Sequence, residues 1–118
     1  MTYDPNNIFA KILKGDIPCN KAYEDEHVFA FHDIAPQAPV HVLVIPKGQY
    51  VDLSDFSKNA SEQEIMAFHR AVAHLTTELG LNNNGYRAIA NSGSNGGQEV
   101  PHYHLHLLGG RPMGVMVS

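Results

Sequence analysis

Cysteine is nearly missing from these 118 residues: Cys19 stands alone, so no intrachain disulfide can form and a cysteine-rich zinc site within one chain is excluded. Basic residues are scarce as well. Eight Lys and Arg against twelve Asp and Glu leave a formal net charge of −4, too little clustered positive charge to attract nucleic acid or an anionic membrane surface. No stretch approaches the ~20 apolar residues of a membrane-spanning helix. The N-terminal MTYDPNNIFAKILKGD lacks the basic start and continuous apolar run of a secretory signal. These absences predict a cytoplasmic protein. No repeat, low-complexity tract or linker divides the chain, and its length suits one ordinary domain, expected over residues 1–118. What is present is a globular balance, 43% apolar and 17% charged, able to offset the ordering entropy of folding.

Hydrophobic spacing supplies the elements. Ile8, Phe9, Ile12 and Leu13 recur at helical intervals, with Asp4 and Pro5 ahead and Gly15 behind, which predicts a short first helix. KAYEDEHVFAFHDI holds two β-favouring pieces around the polar EDEH and reads as a hairpin. After Pro36 and Pro39, VHVLVI at 40–45 is rich in β-branched residues and ends at Pro46, as a buried strand does. Ser61 and Glu64 form a capping box ahead of Ile65, Phe68, Val72, Leu75 and Leu79, one apolar stripe of a long helix that Gly80 closes. Two further strands are expected, YRAIAN at 86–91 and HYHLHLL at 102–108, joined through the Gly-rich NSGSNGGQ. The sum is an α+β fold with two helices and a five-stranded antiparallel sheet. The short links favour a meander, because a parallel pairing needs a longer crossover.

The chemistry concentrates in the last strand. Side chains alternate along a strand, so His102, His104 and His106 share one face and Tyr103, Leu105 and Leu107 the other. A single strand histidine is ordinarily a satisfied core or surface residue, but three in alternation opposite apolar partners form a row. Their backbone origins lie roughly 7 Å apart, two strand rises, which lets several rings converge on one group of phosphate size. Protonating all three would crowd like charges, so at least one ring stays neutral near pH 7 and is a competent nucleophile. Zinc is the competing reading, since three imidazoles leave a coordination position for water. Against it, a flat strand spreads consecutive ligands, and such sites need outer hydrogen-bond partners. Spacing leaves both open. NSGSNGGQE, just ahead of the row, offers backbone N–H groups to anionic oxygens and tips the balance toward phosphate chemistry. His27, His32, His69 and His74 belong to no comparable constellation and read as surface or helix residues.

The segment GGQEVPHYHLHLLGG resembles the His-x-His-x-His signature of the histidine triad superfamily, in the form of its Hint branch. The likeness extends through IFAKILKGDIP, AFHDIAPQAPVHVLVIPK and LGLNNNGYRAIANSG, nearly the whole chain. It implies an antiparallel five-stranded sheet with two helices, usually paired into a homodimer. It also implies a purine nucleoside phosphoramidase: His104 attacks the α-phosphorus of an adenosine 5′-phosphoramidate and forms a nucleotidyl-histidine that water hydrolyses to AMP. By the same resemblance His102 and His106 flank and orient the nucleophile and contact phosphate oxygens, and His41 lies near the leaving group. Asn91, Gly97 and Glu99 match phosphate-site positions. Phe31, Asp33 and Ile34 match the nucleoside pocket, with Asp33 accepting from ribose hydroxyls. No cofactor and no metal are expected. Glu99 departs from the Ser of many animal relatives, since a carboxylate repels phosphate, and the GQEV form is closer to bacterial members. The tail RPMGVMVS lacks the aromatic residue with which some relatives end, so no substrate contact from the tail is inferred. The alternatives are a nucleotide-binding regulatory module, whose role would survive loss of catalysis, and a zinc-dependent hydrolase.

Overall fold

The strand-forming segments assemble into one five-stranded antiparallel sheet in the computed structural model, which describes residues 2–117. After helix α1 (Ile8–Leu13) come β1 (Lys21–Glu24), β2 (Val28–His32) and β3 (Val40–Pro46). Three helices follow, α2 (Leu53–Asn59), α3 (Glu62–Glu78) and α4 (Leu81–Asn84), and then β4 (Tyr86–Ile89) and β5 (Leu105–Gly109). The EDEH turn closes as its acidic residue dictates: Asp25 Oδ1 accepts from the N–H groups of His27 and Val28 at 2.8 Å each.

The sheet order is β1-β2-β3-β5-β4, so the meander expectation holds through β3 and then breaks. β5 takes the slot beside β3 because it carries the buried Leu107, Leu108 and Gly109, whereas β4 is half exposed and suits an edge. The helical connection from α2 to α4 is long enough to let β4 land one position further out. β3 is buried at six of its seven residues, which explains its uninterrupted apolar run.

α1 and α3 are the two helices read from the sequence. α3 starts with the expected reciprocal cap, Ser61 Oγ accepting from Glu64 N–H and Glu64 Oε1 from Ser61 N–H. It ends before Gly80, whose φ of +71° is the left-handed conformation glycine favours. α2 and α4 add seven and four residues, too few for a helical period to stand out.

Two apolar clusters form, one on each face of the sheet. Phe68, Ala71 and Leu75 of α3 pack with Phe56 and Tyr103 on Val28, Ala30, Val42, Val44 and Leu107. On the opposite face Phe9 of α1 packs with Phe29, Phe31, Leu43 and Ile45. A six-residue helix covers only part of that face. Beside it a cavity remains, lined by His41, His104 and His106.

The ladder over 102–108 begins at Leu105, and that over 86–91 ends at Ile89. The last β3–β5 pair is Val44 with Leu105, after which the hydrogen-bonding groups are diverted. Tyr103 N–H donates to the Tyr50 carbonyl at 2.7 Å, and Pro46, where β3 ends, has no N–H to offer. The side chains still alternate: Tyr103 and Leu107 enter the α3 cluster, while His102 and His104 meet Phe9 edge-on across the sheet.

Candidate active site

A cavity of about 1010 Å³ opens between α1, the β2–β3 connection and the Gly-rich loop. Apolar side chains of Ile8, Phe9, Ile12, Phe31 and Leu43 form one wall. His41, His104, His106 and Asp33 form the other, with Asn91, Gly97 and Glu99 reaching it from the loop. The loop is shaped by its glycines and by one side chain. Gly97 has φ +71°, a Cβ on Gly96 would lie 2.6 Å from the Ser92 carbonyl oxygen, and Gln98 bridges Gly93 N–H to the carbonyls of Val51 and Val100.

Hydrogen-bond partners fix the proton on each of the four rings. His102 Nε2 lies 2.8 Å from the Pro46 carbonyl, which only accepts, so Nε2 carries the hydrogen and Nδ1 is bare. His104 Nδ1 lies 2.7 Å from the His102 carbonyl, so its hydrogen is on Nδ1 and Nε2 is bare. His41 Nδ1 accepts from Gln37 N–H at 3.0 Å, which places its hydrogen on Nε2, directed at His106 Nδ1 at 2.9 Å. His106 therefore accepts at Nδ1 and carries its hydrogen on Nε2. Of these four rings, His104 alone keeps a bare nitrogen that accepts no hydrogen bond from a described residue.

Burial holds all four rings neutral at pH 7. Desolvation first, and the neighbouring His104 in addition, bring His102 and His106 down to about 4. His104 is lowered for the same first reason, against its bond to the His102 carbonyl and the charges of Asp33 and Glu99. His41 is lowered by burial, opposed by Asp33, whose Oδ2 is 3.4 Å from its Nε2. Phe9 packs its ring edge-on to His104, with centroids 4.9 Å apart.

The HIT domain model matches residues 14–113. This chain belongs to the HIT family. It is 55% identical to a 13.2 kDa HIT-like protein of Azospirillum brasilense, over 99% of this chain and 96% of that one. It is 43% identical to the purine nucleoside phosphoramidase of Escherichia coli K12, over 94% and 92% of the two chains. Among solved structures, a HIT family hydrolase of Legionella pneumophila superposes with a TM-score of 0.84 at 44% identity, covering 92% of this chain and 96% of that one. One from Clostridium thermocellum gives 0.83 at 42%, covering 96% and 97%.

Nine of the ten site residues read from the sequence line this HIT cavity: Phe31, Asp33, Ile34, His41, Asn91, Gly97, Glu99, His104 and His106. The tenth, His102, is 0% exposed and lies behind the cavity wall with both ring nitrogens engaged. The expected contact between His102 and phosphate oxygens is therefore replaced by support of His104 through its carbonyl. Ile34, expected in a pocket, is 100% exposed at the rim. His32, read as a surface residue, also lines the cavity.

Sequence reasoning passed over Gln37 and Phe9, which act on His41 and His104 from neighbouring segments. A backbone N–H carries no sequence signature, and Phe9 was legible only as a helix-face residue. Asp33, His41 and His106 bring three donor atoms within 4.8 Å of one another, the set a divalent cation would use among the described residues. A metal on His41 Nε2 would require the hydrogen on Nδ1, facing the Gln37 N–H donor. Metal-bound histidines present their second N–H to an acceptor, so the residues here disfavour the metal form of this trio.

Proposed function

We propose that this HIT-family chain is a hydrolase that cleaves the P–N bond of purine nucleoside 5′-phosphoramidates, releasing AMP and an amine through a nucleotidyl-histidine. The observation that carries the reading is the uncommitted Nε2 of His104, neutral, buried and on the cavity wall. His104 Nε2 attacks the α-phosphorus and the P–N bond breaks. The amine leaves with a proton taken from solvent, while neutral His106, its Nδ1 held by His41, keeps its Nε2 hydrogen and offers it to a phosphoryl oxygen. In the second half water attacks phosphorus and gives its proton back to solvent, the P–His104 bond breaks, and His104 returns neutral with its hydrogen on Nδ1. Charge on the phosphoryl oxygens is met by backbone N–H groups near Gly97 and by Asn91. Asp33, with Oδ1 accepting from Ala35 N–H, has Oδ2 left for ribose hydroxyls. The purine lies against Phe31 and rim residue Ile34. Glu99, exposed on the rim, favours a protonated His104 and suits a cationic amine leaving group more than phosphate contact.

The same reading takes residues 1–118 as one HIT domain, acting in the cytoplasm as a homodimer. It uses no metal, unlike a zinc-dependent hydrolase, whose activity a chelator would remove. No helix of the described residues is long and apolar enough to cross a membrane. The decisive experiment is incubation with adenosine 5′-phosphoramidate, quenching in denaturant at alkaline pH, which preserves a P–N bond, and peptide mass mapping. An AMP adduct on His104 is expected, and His104→Gly should abolish turnover while nucleotide binding persists. Undiminished turnover by His104→Gly would overturn the assignment.

A further inference from the structure

We propose that Tyr3 is a positioning residue for the nucleophile: its hydroxyl, donated to His102 Nδ1, locks the ring whose backbone carbonyl orients His104. The inference rests on the reading of His104 as the nucleophile. The Tyr3 oxygen lies 2.7 Å from His102 Nδ1, and the two rings meet edge-on with centroids 5.5 Å apart. The direction of this bond is forced. Because His102 Nε2–H is given to the Pro46 carbonyl, Nδ1 has only a lone pair to offer and Tyr3 must donate. Burial raises the Tyr3 hydroxyl above its ordinary pKa, so it keeps its proton across the working pH range.

The contacts then lead to the reacting ring: Tyr3 Oη to His102 Nδ1, His102 Nε2 to Pro46 O, and His102 O to His104 Nδ1 at 2.7 Å. His102 is sealed from solvent, so Tyr3 is the donor that satisfies its Nδ1 among the described residues. Without that donor the imidazole is freed to rotate or exchange tautomers, and the carbonyl that holds His104 moves with its residue. The N-terminal segment is built to deliver the hydroxyl. Asn7 N–H and Nδ2 both donate to the Asp4 carbonyl, Asn6 N–H to Asp4 Oδ1, and Asn7 caps α1 by accepting from Ala10 N–H. α1 in turn carries Phe9 against both His102 and His104, at 6.4 and 4.9 Å between centroids. Residues 3–9 thus clamp the His102–His104 pair from the far end of the sequence.

Tyr3→Phe removes one oxygen and keeps the ring. With adenosine 5′-phosphoramidate as substrate, kcat is expected to fall about tenfold or more, since small misplacements of reacting groups cost that much, while KM changes less. Nitrogen NMR of the free, substrate-free protein provides a readout that simple packing would not move. In the wild type His102 Nδ1 should give the signal of a bare, hydrogen-bonded nitrogen. In Tyr3→Phe that signal should shift toward an unbonded nitrogen, and His104 signals should move with it. A double variant with His102→Asn should lose no more activity than His102→Asn alone. Wild-type kcat together with unmoved His104 signals in Tyr3→Phe would overturn the proposal. The NMR arm needs no turnover, so an unreactive His104 in the wild type would condemn the nucleophile reading and leave the Tyr3 contact to its own result.

Discussion

At the scale of single residues, the four histidines differ only through the atoms opposite their nitrogens. The strand repeat makes His102, His104 and His106 equivalent, whereas two carbonyls, the His41 N–H and one hydroxyl make them a buried ring with both nitrogens engaged, a ring with a free Nε2 and a ring held at Nδ1. Their burial also links them to stability. His102 titrates near 4 when folded and near its ordinary 6.5 when unfolded, so between these values the unfolded chain binds the extra proton. Its contribution is complete above pH 6.5 and is lost as pH falls to about 4. The shift corresponds to about 3 kcal/mol for this ring, and His106, also near 4, adds in the same direction with more solvent screening. Urea midpoints measured from pH 7 to pH 4 should therefore fall steeply below pH 6.5. A flat profile across that interval would refute the neutral, buried assignment.

Among the elements, α3 shows how a sequence signal becomes a stabilising contact and then connects to the site. Its capping box satisfies two N–H groups, and Glu64 also accepts from the Tyr50 hydroxyl at 2.9 Å. Tyr50 in turn offers its carbonyl to Tyr103, between two of the histidines. Ser61→Ala should cost about 1 kcal/mol, read as a lower urea midpoint, with kcat unchanged because no residue of α3 lines the cavity. A loss of kcat in a variant still fully folded would show that the cap also governs the site. α1, α3 and the strand cores were legible because their apolar period is a local property. α2 and α4 were not, since a helix of seven or four residues displays no period, and Gly80 signalled the end of α3 without announcing a further turn.

On the scale of the whole molecule, the sheet leaves β4 as a free edge, with Tyr86 44% exposed on it. Beside it the tail is held down by Arg87, whose guanidinium donates to the carbonyls of Met113, Gly114 and Val115. An unprotected edge flanked by exposed Val115, Met116 and Val117 is a ready template for a second copy. Sedimentation at micromolar concentration should give twice the mass of the 13.0 kDa chain, and a monomer would remove the homodimer from the reading. The sequence by itself determined the α+β class, the five strands, the capped long helix and the row of three histidines, because each rests on the spacing of residues along one segment. Only the tertiary structure decided that β5 lies inside β4, that His102 is walled off, and that His104 owns the free nitrogen. Those outcomes depend on partners 56 residues away at Pro46 and 99 away at Tyr3. A hydrogen bond across such a separation is set by where the folded backbone brings two groups together, and no local pattern encodes it.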